Sequence, residues 1–221
     1  MGVVMQPYSL KKSLLNNKLN IQAWCSVQNG MVICNGKEII TVDNKQTFSA
    51  SAKQVYKDQH WEYPKFFKMD RLSKLTFLTA EILMNEVTIS SEEKESLAVV
   101  LSNKSASLDT DRKYQDSINS IENFYPSPAV FVFTLPNIGM GEVCIRHKIQ
   151  GENAFFAFDD FNPLFLKQYA ESLTQNNKAK QVLCGWTEID EKGYNSFLYL
   201  ASPNGTLPHT EESIKKLYTP S

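Results

Sequence analysis

The chain has 221 residues, of which 42% are hydrophobic, and its formal net charge at pH 7 is −1. This size suits one ordinary domain with a full hydrophobic core, and the composition excludes an intrinsically disordered tail. The near-neutral charge provides no basic surface, which argues against nucleic acid as the main ligand.

The sequence also leads to predictions about membrane spans, metal sites and location in the cell. No sequence run approaches the roughly 18 apolar residues that a membrane-spanning helix needs, so no membrane span is predicted. The four cysteines are not spaced as zinc ligands or as a CxxC pair. We therefore predict no metal and no cofactor, and we expect a cytoplasmic protein with reduced thiols.

Alternating apolar and polar residues predict a first strand at residues 19–27. Residues 37–65 are polar and aromatic, which indicates a surface excursion with little regular structure. Asp70 is the expected cap of an amphipathic helix that continues to about Asn85. The apolar run at residues 97–101 is typical of a buried parallel strand, and a polar loop follows it where α/β sheets usually bind ligands.

The following segment predicts a helix at residues 111–123, a strand at residues 129–133 and a second helix at residues 136–149. Gly139 and Gly141 lie in the first turns of that second helix. Glycine costs roughly 1 kcal/mol relative to alanine inside a helix, so close packing against another backbone is the expected reason for both.

The last third predicts a strand at residues 153–158, a helix at residues 162–176, and strands at residues 181–185 and 197–201. This order predicts an α/β fold with a mostly parallel five-stranded sheet, one antiparallel edge strand and helices on both faces. Three segments are expected: a flexible start at residues 1–18, a folded domain at residues 19–202, and a tail with a short helix at residues 203–221.

Residues 151–160 carry the functional prediction. A strand that runs directly into a helix is where many α/β enzymes place a nucleophile, because the turn exposes one side chain and the helix N-terminus stabilises an anion. Asn162 is a suitable N-cap, and Pro163 is a suitable first helical residue. The turn contains Asp159 and Asp160 but no serine or cysteine, so it is a nucleophile turn without a nucleophile.

Three stretches together resemble a known family. Residues 136–160 are similar to the helix, the Gly-Pro-Asn loop and the strand that lead to the active-site cysteine of β-ketoacyl synthases. Residues 182–188 resemble the hydrophobic strand that usually ends in Gly-Gly-x-Glu, and residues 19–27 resemble the first strand, although glutamine and tryptophan replace its usual glycines. The resemblance covers about residues 19–202, which correspond to the amino-terminal half of a thiolase-like fold.

The resemblance implies the fold but not the chemistry. The family's nucleophilic cysteine corresponds to Asp160 or its neighbour Asp159, and the two catalytic histidines belong to the second half, which this chain lacks. The chain therefore resembles a chain-length factor, the inactive subunit that pairs with an active ketosynthase, especially the short form of aryl polyene and flexirubin systems. The implied partners are a full-length ketosynthase and, indirectly, an acyl carrier protein.

Two sets of residues receive roles from this resemblance. The strand at residues 153–158 is apolar on both faces, which fits either a central buried strand or an edge strand that pairs across a dimer. Its candidate interface residues are Asn153, Phe155, Phe156 and Phe158. A second aromatic set is either part of the core or the lining of an acyl pocket at the dimer interface. Its members are Phe124, Tyr125, Phe131 and Phe133.

Other chemistries stay open. Asp159 and Asp160 are helix-capping residues, an acid–base pair, or residues with a decarboxylation-assisting or structural role beside a partner's active site. Cys144 and His147 share a helix face, so a small cysteine-dependent acyltransferase or hydrolase is an alternative. A homodimeric module that binds acyl chains or acyl carrier proteins is another. Cys184 is expected in the core.

Overall fold

The computed structural model describes residues 18–28, 30–42, 46–122 and 124–218. The strands are β1 (Asn20–Gln28), β2 (Met31–Cys34), β3 (Lys37–Thr41), β4 (Leu97–Asn103), β5 (Asn153–Ala157), β6 (Gln181–Ile189), β7 (Tyr194–Ser202) and β8 (Leu207–Pro208). The helices are α1 (Phe48–Asp58), α2 (Arg71–Asn85), α3 (Ser91–Glu95), α4 (Leu108–Asp116), α5 (Pro128–Phe131), α6 (Ile138–His147), α7 (Pro163–Gln175) and α8 (Glu211–Tyr218). A 3-10 helix, η1, covers Pro64–Lys68.

The strands form one sheet in the order β3-β2-β1-β7-β6-β4-β5, with β8 also paired to β1. Helices cover both faces, as predicted for the α/β class. The sheet is larger and more mixed than the five mostly parallel strands predicted: β4 pairs in parallel with β5 and β6, whereas the other pairs are antiparallel. β7 is not an edge strand, because the full length of β1 pairs with it.

Two hydrophobic cores lie between the sheet and the helices, one on each face of the sheet. One lies between the sheet and α1, α2 and α6, and the other lies between the sheet and α7 and α8. All residues of β4 are buried, because β4 has a neighbouring strand on each side and helices on each face. The prediction of a buried parallel strand at residues 97–101 is thus confirmed.

The packing of α6 on α2 explains one of the two helix glycines. Asp70 caps α2 as predicted, since its Oδ1 accepts a hydrogen bond from the N–H of Ser73 at 2.9 Å. A Cβ atom on Gly139 would lie 2.9 Å from the Cα of the same Ser73, so the two backbones approach closely there. Gly141 faces open space, and the packing predicted for it is wrong.

Two local predictions are wrong. Residues 37–65 contain β3, α1 and the start of η1 rather than an irregular excursion. Asn35 and Gly36 adopt positive φ in the turn that joins β2 to β3, and Thr47 accepts the N-cap hydrogen bond of α1. Residues 129–133 are not a strand: Ser127 caps the short helix α5, in which Pro128 is the first residue.

The C-terminal segment packs on the domain. β8 pairs with the start of β1, and Ile214 of α8 is fully buried. The N-terminal segment predicted at residues 1–18 lies outside the described residues, apart from Lys18. No helix of the described part of the chain is long and apolar enough to cross a membrane.

Candidate functional site

The turn between β5 and α7 has the geometry predicted for a strand–helix elbow. Asn162 is the N-cap of α7, with its Oδ1 accepting a hydrogen bond from the N–H of Phe165 at 3.0 Å, and Pro163 is the first helical residue. Asp159 and Asp160 are exposed bend residues. Because Asn162 makes the capping bond, the interpretation of the two aspartates as the helix cap is wrong.

The elbow borders an open surface cleft of about 470 Å³, which the side of α8 completes with Glu211 and Lys215. Phe158 and Leu164 also line this cleft, on either side of the two aspartates. The aspartates therefore face solvent, not an enclosed pocket of this chain.

Phe161 anchors the elbow to the rest of the fold. Its ring centroid lies 4.2 Å from that of Tyr218, 5.9 Å from that of Phe197 and 6.1 Å from that of Trp186. These rings come from α8, β7 and β6, so three elements fix the position of the turn. The sequence prediction missed this cluster, because its members are far apart along the chain.

Tyr218 is the titratable group of this aromatic cluster. Burial raises the pKa of its phenol, and the nearby carboxylates of Asp160 and Glu188 raise it further. A hydrogen bond from Asn195 Nδ2 at 2.9 Å opposes the rise in pKa without cancelling it. Tyr218 is consequently a neutral phenol at pH 7 and not a general base.

The loop after β4, beside the elbow, is held by a carboxylate from β6. Oε2 of Glu188 accepts hydrogen bonds from the backbone N–H groups of Lys104 at 2.7 Å and Ser105 at 3.0 Å. The side chain of Asn103 bonds both the N–H and the carbonyl of Ala106, whose φ is 49°. Glu188 was singled out in the sequence only by the family resemblance, and the structure gives it a structural role.

β5 is an open edge of the sheet. The N–H of Phe158 donates to the carbonyl of Asn103 on β4 at 2.9 Å. Backbone groups of successive residues in a strand point to opposite sides, so the N–H and C=O groups of Asn153, Phe155 and Ala157 point away from β4. No described strand pairs with that side.

The side chains of β5 contact helices on both faces of the sheet. Phe155 packs against the core shared with α2 and α6. The Phe156 ring lies 4.7 Å from Phe165 and 5.1 Å from Tyr169 on α7, and Phe158 lies 4.9 Å from Phe165. Helix packing on both faces explains why an edge strand has the apolar pattern of a central one.

The second aromatic set is mostly on the surface. Phe124 is 61% exposed, Tyr125 73% and Phe131 57%, whereas Phe133 packs partly against the core. The alternative that these four form core is therefore wrong for the first three. The exposed large hydrophobic residues of the segment 121–135 are named together here as the aromatic patch: Ile121, Phe124, Tyr125, Phe131, Val132 and Leu135.

The Cys144–His147 alternative lacks a reactive thiol. Burial raises the pKa of Cys144 to about 11, so its thiol is protonated at pH 7. The Nε2 of His147 lies 3.0 Å from Oε2 of the buried Glu81. Cys184 is fully buried, as expected, and burial raises its pKa to about 12.

Arg146 is also bound to Glu81. Its Nη2 and Nε donate to Oε1 of Glu81 at 2.6 and 2.9 Å. Burial alone would raise the pKa of Glu81, but the neighbouring His147 and the bonds from Arg146 outweigh burial and hold it below its ordinary value. This group joins α2 to α6 and is structural.

The described residues contain no group of three or more histidine, cysteine, aspartate or glutamate side chains that could hold a metal ion. The chemistry available at the elbow is that of two exposed carboxylates beside an open strand edge.

No protein-family model matches the chain, and no curated protein matches it in sequence. Its fold, however, is similar to those of several solved structures. A chain of the ishigamide ketosynthase/chain length factor superposes with a TM-score of 0.60 at 17% identity, covering 85% of this chain and 62% of that one. A β-ketoacyl synthase from Burkholderia phymatum STM815 gives a TM-score of 0.57 at 10% identity, covering 91% of this chain and 61% of that one.

A third structure is a ketosynthase in complex with its chain length factor from Xenorhabdus doucetiae. One of its chains superposes with a TM-score of 0.57 at 14% identity, covering 91% of this chain and 90% of that one. The present chain thus spans about three fifths of the first two structures (62% and 61%) and nearly all of the third (90%). These superpositions confirm the predicted resemblance at the level of the fold: the chain has the thiolase-like fold of ketosynthase and chain-length-factor chains.

Proposed function

We propose that this chain is a non-catalytic, ketosynthase-like subunit that pairs through β5 with an active β-ketoacyl synthase and shapes its acyl pocket. One observation carries the proposal: a ketosynthase-type elbow that has no nucleophile adjoins an open, apolar strand edge. The reaction would be chain elongation of the polyketide or fatty-acid type, with the cysteine and both histidines supplied by the partner.

The elbow itself argues against catalysis by this chain. A carboxylate is a poor acyl acceptor in thioester exchange compared with a thiolate, and Asp159 and Asp160 are solvent-exposed. The half-buried Cys144 on α6 is protonated at neutral pH. A subunit with these properties contributes surface and shape to a shared site, not a reacting atom.

The edge of β5 supports pairing by strand addition. Its outward N–H and C=O groups are free to extend the sheet, and its sequence, Asn-Ala-Phe-Phe-Ala, lacks the charges and prolines that normally protect an exposed edge. Packing on both faces holds the strand rigid before a partner arrives, which lowers the entropic cost of association.

The aromatic patch lies towards the carboxyl end of the parallel strands, the end of the sheet at which the elbow also lies. Ser107 Oγ, in the loop after β4, donates to the carbonyl of Thr134 at 2.8 Å, which fixes the patch at the carboxyl end of the parallel strands. Phe133 and Phe155 also pack against the same core. We propose that a partner that pairs with β5 also covers the patch, and that Phe124, Tyr125, Phe131 and Phe133 line the acyl pocket between the subunits.

The proposal is tested by co-expression with a candidate full-length ketosynthase, followed by size-exclusion chromatography. Ala157→Pro removes an outward N–H without removing a bond to β4, and Ala157→Ser keeps that N–H as the matched control. We expect the parent chain and the serine variant to co-elute with the ketosynthase and the proline variant to elute alone. Elution of the parent chain as a monomer would overturn the proposal.

The same edge also supports a homodimeric module that binds acyl chains or acyl carrier proteins, because two copies of β5 could pair around a two-fold axis. Native mass spectrometry of the isolated chain separates the two functions. A stable homodimer that does not exchange with the ketosynthase would favour the module.

A further inference from the structure

Cys25 and Cys34 lie directly opposite each other on the antiparallel strands β1 and β2. The adjacent pair along this ladder is hydrogen-bonded, because the N–H of Asn35 donates to the carbonyl of Trp24 at 2.9 Å. Hydrogen-bonded and non-hydrogen-bonded pairs alternate in an antiparallel ladder, so the two cysteines form a non-hydrogen-bonded pair. The Cα atoms of such a pair are about 4.5 Å apart, within the roughly 4.4–6.8 Å that disulfides span.

We propose that Cys25 and Cys34 form a reversible dithiol–disulfide pair, which crosslinks β1 to β2 when the protein meets a peroxide. Both cysteines are free thiols, and they share a face of the sheet in the same core. This property is independent of the proposed function, because β5 is the last strand at one end of the sheet, whereas β1 and β2 lie towards the other end.

The two thiols are not equivalent. A hydrogen bond from the Cys25 thiol to the Cys34 sulfur lowers the pKa of Cys34 and raises that of Cys25. Cys34 is therefore the more readily ionised thiol and the first to react, and Cys25 is the resolving thiol beside it.

Access to the pair comes from the edge of the sheet. Cys25 and Cys34 are 0% and 1% exposed, so a reagent reaches them only when the structure opens locally. Cys34 is the last residue of β2, and the turn after it leads to β3, the outermost strand, in which no residue is buried. Edge hairpins of this kind open at a lower free-energy cost than global unfolding.

The redox chemistry balances with hydrogen peroxide as oxidant. The Cys34 thiolate attacks one peroxide oxygen, the O–O bond breaks, and a sulfenic acid and hydroxide form. The Cys25 thiol then attacks the sulfenic sulfur, the S–O bond breaks, and water leaves with the proton of Cys25. Two thiols are oxidised to one disulfide, and one peroxide is reduced to two water molecules.

The test is peroxide treatment of the folded chain, followed by alkylation under denaturing conditions, intact-mass measurement and peptide mapping. We expect two of the four thiols to resist alkylation, a crosslinked peptide that contains Cys25 and Cys34, and full recovery of alkylation after dithiothreitol. Cys25→Ser and Cys34→Ser should each abolish the crosslink, whereas Cys144→Ser should retain it.

Three outcomes would overturn the proposal. They are four alkylatable thiols after treatment, conversion of Cys34 to a sulfinic acid without a crosslink, and a disulfide that involves Cys144, Cys184 or a second molecule. The measurement on the parent chain decides between these outcomes even where a serine variant does not fold.

Discussion

Gly139 and Gly141 lie two residues apart in α6 and provide a matched test of backbone packing. Gly139→Ala places a Cβ atom 2.9 Å from the Cα of Ser73, so α6 must move away from α2. Gly141→Ala meets nothing within 4 Å and gains the better helix propensity of alanine. We expect the first variant to lose about 1–3 kcal/mol of unfolding free energy and the second to gain about 0.5–1 kcal/mol, measured by urea denaturation. Equal effects of the two variants would contradict the packing explanation.

His209 gives the fold a specific dependence on pH. Burial lowers its pKa from the ordinary value of 6.5 to about 4, while its Nε2 lies 3.4 Å from the Tyr199 hydroxyl. Between pH 4 and pH 6.5, His209 is mostly protonated in the unfolded chain but mostly neutral in the folded chain. The free energy of unfolding therefore falls as pH falls, by about 2 kcal/mol between pH 7 and pH 5.

The measurement is a series of urea denaturation curves across this pH range, with His209→Gln as the comparison. The neighbouring Glu171 and Lys167 charges act in opposite directions on the His209 pKa and are present in both proteins. Glu81, whose pKa is lowered from 4.5, affects stability only at lower pH. Parallel pH profiles for the two proteins would show that His209 is not the responsible group.

At the scale of elements, the packing of α6 against α2 depends on the buried carboxylate of Glu81. The side chain of Glu81 is 3% exposed and binds Arg146 at 2.6 Å, whereas the Arg112–Glu191 pair is 56% and 79% exposed. Removing one partner of a buried ion pair leaves the other charge uncompensated. Glu81→Gln should therefore cost about 3 kcal/mol of unfolding free energy, whereas Glu191→Gln should cost less than about 1 kcal/mol. Thermal denaturation of both variants, alongside urea titration, would detect the difference, and similar losses would contradict it.

Sequence reasoning succeeded for the elements whose signals are local. Asp70 precedes α2, Asn162 and Pro163 begin α7, and the apolar run at residues 97–101 forms β4. Each of these signals acts within a few residues of the element that it specifies. The strand–helix elbow, the centre of the candidate site, was predictable for the same reason.

The failures have two other causes, which are long-range pairing and competing local signals. The position of β7 inside the sheet depends on its pairing with β1, and the buried charges depend on partners far along the chain. Glu188 binds an amide 84 residues away, and Arg146 binds Glu81 across 65 residues. Neither spacing nor periodicity contains that information. The helix α5 was missed because its strand-like residues outweighed the Ser-Pro start signal.

For the whole molecule, exposed large hydrophobic residues lie on several strands, helices and loops. The outer side of α7 has one exposed apolar residue, Leu164, followed by the exposed polar residues Gln168 and Ser172. An ion pair of 2.8 Å joins Lys167 to Glu171 on the same helix. The chain's own α8 also packs against α7 and the elbow. Among the described residues, six of the thirteen exposed large hydrophobic residues belong to the aromatic patch.

This distribution leads to a prediction that separates folding from association. Phe124→Ser and Tyr125→Ser remove rings that are 61% and 73% exposed, so each should change the unfolding free energy by less than about 0.5 kcal/mol. If a ketosynthase covers the patch, each ring becomes a buried aromatic anchor. Each substitution should then weaken the complex with the full-length ketosynthase about tenfold, equivalent to about 1.4 kcal/mol of binding free energy.

Phe67→Ser is the control for that measurement. Phe67 is 48% exposed but lies on η1, where its ring contacts Tyr56 at 4.9 Å, and it is not part of the aromatic patch. Affinities measured by biolayer interferometry should fall for the two patch variants and stay unchanged for Phe67→Ser, while urea curves confirm that the patch variants fold. Unchanged affinity in the patch variants would limit the partner interface to the edge of β5, because a covered aromatic ring cannot be removed without loss of buried apolar area.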